Sequence, residues 1–330
     1  MENNNQDQAT DDVLENRDTE RSAEVAAENK IGLKSIFRNG LIPASILLSS
    51  IILSGALVYS ANSGNGAQKT NLAGAALDAE LEEKVMPPKG VLLPVVWGDL
   101  GKKLVDAGVI DADKFKAVYE QRGTFPDEYK DLLLGSKNGK LKITKENSGF
   151  LLNLLWALGL GNKNPILEKG EISDPKYGGA EKFASTGGWT ISKGNPMDHF
   201  SYHTFITLTA DQQALVDRVS KGIYRPCCGN STHFPDCNHG MAMLGLLELM
   251  ASQGVSEQIM WKTALEVNSY WFPNNYLTIA AYIKNKGTDW EDVNPQEMLG
   301  SEYSSSRGNA NISSQVAPLR GQQGGGGCGV

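Results

Sequence analysis

The chain has 330 residues, 40% hydrophobic and 21% charged, enough apolar material for one large globular core or two ordinary ones. That composition excludes collagen-like, fully disordered and multi-span membrane chains. The net charge of −7 sits almost wholly in residues 1–30, where nine acids face three bases, so the rest is near neutral and no nucleic-acid partner is expected.

Residues 1–40 are acidic and carry no aromatic side chain before Phe37, so a disordered cytoplasmic tail is expected there. Residues 41–60 read LIPASILLSSIILSGALVYS without a charge. Twenty residues of helix match the roughly 30 Å hydrocarbon core of a bilayer. Lys30, Lys34 and Arg38 precede this run and Lys69 follows it, an asymmetry that puts the N-terminus inside and the bulk of the chain outside. The expectation is a single-pass signal-anchor in the cytoplasmic membrane, with a periplasmic or extracellular domain. A cleaved signal peptide is the rival, against which the forty residues ahead of the apolar run are long. Residues 61–85 read as a stalk that turns helical near its end.

Residues 86–300 hold all six tryptophans, and the fold is expected there: mainly α, with one Gly/Pro-rich loop insertion and a short extended segment. Apolar spacing near 3.6 predicts helices over 100–107, 111–121 and 145–158, with Asp111 and Thr144 as N-caps. The stretch 160–195 is rich in Gly and Pro and reads as the loop insertion, of a length that is often functional. Around Phe200 the pattern alternates, which suggests a short strand; on a strand or a helix His199 and His203 share a side. Thr209 caps a further predicted helix, and three more are expected over 239–253, 256–270 and 274–286, with Gly254 and Gly287 as terminators. Residues 301–330, ending GQQGGGGCGV, read as a flexible tail.

The chemistry-bearing residues concentrate between 199 and 239. His199, His203, His233 and His239 are all the histidines of the chain, and Cys227, Cys228 and Cys237 are three of its four cysteines. Thiolate and imidazole ligands together select soft or borderline ions, with Cu, Zn and Fe the expected cofactors. The spacing matches neither a zinc finger nor a haem-attachment motif. Cys237 precedes a predicted helix whose first amides favour a thiolate. Three accessory residues complete the set. Met243 lies one turn beyond His239, and Glu248 stands as an acid in an apolar helix, either orienting an imidazole or on a solvated face. Cys328 sits on a glycine arm long enough to exchange a metal or thiol with the cluster or with a partner.

Two alternatives stay open: a thiol-dependent enzyme with a cysteine nucleophile and a histidine base, and an envelope protein whose cysteines are disulfides. No Walker-type or dinucleotide glycine loop, GxSxG elbow or HExxH pair is present in the sequence.

Overall fold

The computed structural model describes residues 79–316 except Thr124. The acidic tail, the uncharged run at 41–60, most of the stalk and Cys328 therefore lie outside the described residues. Among the described residues, no helix is long and apolar enough to cross a membrane.

The described chain is mainly helical with a two-stranded antiparallel sheet. Strand β1 (Val91–Gly98) is followed by α1 (Leu100–Asp106), α2 (Ala112–Gln121) and α3 (Asp127–Leu134), and then by β2 (Asn138–Ile143). Both strands and α3 are absent from the sequence-based expectation. The ladder pairs Val91 with Ile143 and Gly98 with Asn138, and slips between Leu92 and Val96. Pro94, which has no amide hydrogen to give, stands in that slip. On the outer edge of β1 the Gln253 side chain accepts from the Val96 amide and donates to its carbonyl, both at 2.8 Å.

Two helices make the centre. α4 (Ser148–Gly161) and α7 (Asn238–Ser252) are buried around nearly their whole circumference, so neither has the polar face of an ordinary surface helix. They approach closely because glycines meet at the crossing. A Cβ on Gly159 would lie 2.1 Å from the Met241 carbonyl oxygen, and one on Gly245 would lie 2.5 Å from that of Leu155. α4 starts three residues later than its periodicity suggests. Thr144 and Asn147 bond reciprocally, the Thr144 amide donating to Asn147 Oδ1 at 2.8 Å and the Asn147 amide to Thr144 Oγ1 at 3.3 Å. That box holds residues 145–147 in a turn.

The predicted loop at 160–195 contains α5 (Pro165–Lys169) and three short 3-10 turns. The expected strand near Phe200 reduces to a single bridge between Asn162 and His203. α6 (Ala210–Gly222) begins as expected at Thr209, whose hydroxyl accepts from the Gln212 amide while Gln212 returns the bond. α8 (Glu257–Trp271) and α9 (Pro273–Asn285) follow, within a residue of their expected bounds. Gly254 and Gly287 have φ of 73° and 91°, the left-handed conformation that suits glycine at a helix end.

The flexible tail expected from residue 301 is corrected over its first part. α10 (Pro295–Met298), α11 (Ser301–Ser304) and α12 (Ser306–Ser313) are helical, with Ile312 buried in the core. At the other end residues 79–85 are helical and bury Leu81 and Val85, so the folded body begins inside the expected stalk.

Candidate metal centre

The loop between α6 and α7 runs over 223–237 and turns around one buried cation. Arg225 is 1% exposed, and every group around it accepts. Its Nε donates to Cys237 Sγ at 3.0 Å, Nη1 to the Asn230 carbonyl at 3.1 Å, and Nη2 to the Phe234 carbonyl at 3.1 Å and to the Asp236 carboxylate. The other Asp236 oxygen accepts from Asn230 Nδ2 at 2.8 Å. A planar fork with five donors suits such a task, because it bonds several acceptors at once without bending. Gly240 makes room for it: a Cβ there would lie 2.5 Å from the guanidinium carbon.

The cysteines sit on this frame. Cys237 caps α7, its sulfur accepting from the Gly240 amide at 3.4 Å. Cys227 lies across the turn with its sulfur 3.5 Å from that of Cys237. The three sulfurs of Cys227, Cys228 and Cys237 all lie within 4.8 Å of one another, and none of the three is in a disulfide. Cys237 is buried while Cys227 and Cys228 are partly exposed, so the group has an inner and an outer side. The loop is also tied from outside, since the Ser306 amide at the start of α12 donates to the Cys228 carbonyl at 2.9 Å.

Hydrogen bonds from Cys227 and Cys228 hold the Cys237 thiol well below its ordinary value; the Arg225 charge and a bond from His239 add to this, against the opposing effect of burial. Cys228 is pushed up to about 12. A bond from Cys227 pulls it down, but its bond to Cys237 and its burial outweigh that. Burial alone would lower the pKa of Arg225, yet the negative charge at Cys237, Cys228 and Asp236 raises it. The arrangement favours the charged form at Cys237, whose sulfur faces the Arg225 guanidinium.

The histidines do not join the three sulfurs as a set. His239, on the first turn of α7, bonds to Cys237 and packs its ring 4.3 Å from that of Phe272, outside the three-sulfur group. His199 and His203 pair with each other, Nδ1 to Nε2 at 3.0 Å, with the rings stacked 5.3 Å apart. The Lys193 carbonyl lies 2.8 Å from His199 Nε2, and a carbonyl only accepts, so that nitrogen carries a proton. Burial, and then the His199 charge, lower the pKa of His203. His233 donates to Asp217 on α6 at 2.7 Å.

The accessory residues divide too. Met243 is buried in the hydrophobic core. Glu248 has no solvated face and meets no imidazole; it is 0% exposed and accepts from Asn162 Nδ2 at 3.1 Å and from Asn164 Nδ2. Burial pushes its carboxyl up to about 8, against the two asparagine bonds. Arg225, Asp236, Asn162 and Asn164 were missed by sequence reasoning. The signal for the first two is weak but present, a lone Arg two residues before the cysteine pair and a lone Asp directly before Cys237 in RPCCGNSTHFPDC.

Comparison with protein-family models, with curated proteins and with solved structures finds no match for this chain.

Proposed function

We propose that the protein binds one soft or borderline metal ion through the thiolates of Cys227, Cys228 and Cys237. The observation that carries this reading is the mutual approach of the three sulfurs, all within 4.8 Å. A metal–sulfur bond of about 2.3 Å places ligand sulfurs about 3.8 Å apart in a tetrahedral site and about 4.0 Å apart in a trigonal one. The group is therefore near a ligating arrangement without movement of the backbone. Three thiolates carry three negative charges; a divalent ion offsets two of them, and the Arg225 guanidinium, shared with Asp236, faces the thiolate of Cys237. The Arg225 and Gly240 N–H groups on Cys237 supply the outer hydrogen bonds that orient a thiolate ligand. Zn(II) and Cu(I) are the ions this donor set selects.

The full chain, reduced and stripped of metal, is expected to take up about one equivalent of Zn(II) or Cu(I) by elemental analysis, as a single preformed site should. Serine at any of the three cysteine positions is expected to weaken binding more than about 100-fold, beyond the effect of losing an outer partner. His239→Ala should weaken it less. Full, unchanged loading of all three serine variants overturns the reading.

The uncharged run at 41–60 supports a location outside the cytoplasmic membrane on a single-pass anchor, with the Cys328 arm exchanging metal at the cluster. Carbonate extraction of membranes tests the anchor. A fully soluble full-length chain overturns it.

A further inference from the structure

Of the three sulfurs, two are set apart by geometry. Cys227 and Cys237 are 3.5 Å apart, against a disulfide length of about 2.05 Å. Cys228 also bonds to Cys237, but its sulfur is engaged as well by the Asn230 carbonyl, 3.8 Å away. A bond between the adjacent Cys227 and Cys228 would strain the backbone between them. The two that face each other also differ in access, with Cys227 partly exposed and Cys237 buried.

We infer that the site is redox-gated: a small-molecule disulfide converts Cys227 and Cys237 into an internal disulfide, and the metal leaves. This rests on the metal reading of the same three sulfurs. In the first step the accessible Cys227 sulfur attacks one sulfur of the small disulfide. A mixed disulfide forms at Cys227 and the first small thiolate departs with the electron pair of the broken bond. In the second step the Cys237 sulfur attacks Cys227 Sγ, forming the Cys227–Cys237 bond and expelling the second small thiolate. Two protein thiolates are thereby oxidised by two electrons in all, and one small disulfide is reduced to two thiolates, which take protons from water according to their pKa.

The structure favours this order. Cys237 is buried, while Arg225 Nε and the Gly240 amide direct N–H groups at its sulfur and hold it in place beside Cys227. Closing the bond takes a shift of about 1.5 Å, the difference between the present separation and a disulfide length, which side-chain rotation supplies. Afterwards Cys228 alone remains as a thiolate ligand of the three. A site reduced to one such ligand loses its ion, because affinity is built from the full set.

The test uses the full chain loaded with Zn(II) and treated with oxidised glutathione in the presence of a chromogenic zinc chelator. Zinc release is expected to rise with the fraction of protein carrying a Cys227–Cys237 link, mapped by alkylation, digestion and mass spectrometry, with Cys228 recovered alkylated. Metal-free Cys228→Ser should still form the same link, since neither sulfur–sulfur bond made in the two steps involves that side chain. Cys237→Ser should stop at a mixed glutathione disulfide on Cys227. A Cys227–Cys228 or Cys228–Cys237 link, or zinc retained by protein whose Cys227–Cys237 link is complete, overturns the inference and leaves the metal reading standing. A reduced chain that holds neither Zn(II) nor Cu(I) overturns the metal reading, and with it the release step, even where the disulfide forms.

Discussion

Glu248→Gln isolates the cost of a carboxyl placed inside the α4–α7 pair. The Glu248 carboxyl ionises near its ordinary 4.5 when the chain is unfolded but only near about 8 in the fold, because burial disfavours the charge. Its folded pKa is the higher of the two, so its contribution to stability is fully present below pH ~4.5 and is lost as pH rises toward about 8. The slope is ~1.4 kcal/mol per pH unit, which accumulates to ~5 kcal/mol across the window. Glutamine removes the titration but brings a fault of its own. Asn162 Oδ1 is held by the Phe205 and Ile206 amides at 3.1 and 2.9 Å, so its NH2 must face residue 248. Asn164 Oδ1 is held by the Ile166 amide and by Gln213 Nε2, at 2.9 and 3.1 Å, with the same result. A glutamine meets one of these two donors with a third, which costs ~1–3 kcal/mol at every pH. The variant should therefore be the less stable protein at pH 5 and the more stable one at pH 9, crossing between. Urea unfolding at half-unit intervals from pH 5 to 9 measures the difference. A difference that stays flat with pH, or grows in favour of wild type as pH rises, refutes the reasoning.

Replacing Arg225 by Met strands the Asp236 carboxylate and two loop carbonyls. The expected loss is ~3–5 kcal/mol in chemical denaturation, and a loss under 1 kcal/mol would deny the guanidinium its organising role. Gly245→Ala forces a methyl against the Leu155 carbonyl and should cost at least ~1–3 kcal/mol, read as a lower denaturation midpoint. Gly149→Ala on the same helix pair meets nothing within 4 Å and should raise stability by ~0.5–1 kcal/mol. Equal effects of the two alanines would show that close approach at the crossing is unimportant.

Where local chemistry decides, the sequence is readable. Asp111 accepts from the Asp113 and Lys114 amides and Thr209 forms its reciprocal box, because a cap needs only residues within one turn of itself. The strands escape for a physical reason: β1 is interrupted by Pro94 and shows little alternation, and the alternating Lys140-Leu141-Lys142-Ile143 is four residues long. The cysteines are legible as a cluster since their loop is short and closes on itself around Arg225. The histidines are not, since neighbours in sequence are taken by different elements: His203 bonds its amide to the Gly161 carbonyl at the end of α4, and His233 turns to α6. Glu248 is misplaced by any helical-wheel argument, because α7 has no wet face and the partners of its carboxyl lie 84 and 86 residues away in sequence.

The Gln253 amide against Val96 links two events that ordinarily have nothing to do with each other. Gln253 is the residue that ends α7, and its side chain fills a place that another strand would occupy beside β1. Leu92 and Val96 are both exposed on that ribbon, so the edge it blocks carries apolar side chains. When the last turn of α7 frays, the amide swings away and a peptide group of β1 becomes available to a neighbouring molecule. Pairing of β1 with a neighbouring molecule at Val96 would require this pair of bonds to break first, so agents that stiffen the end of α7 should keep the edge covered.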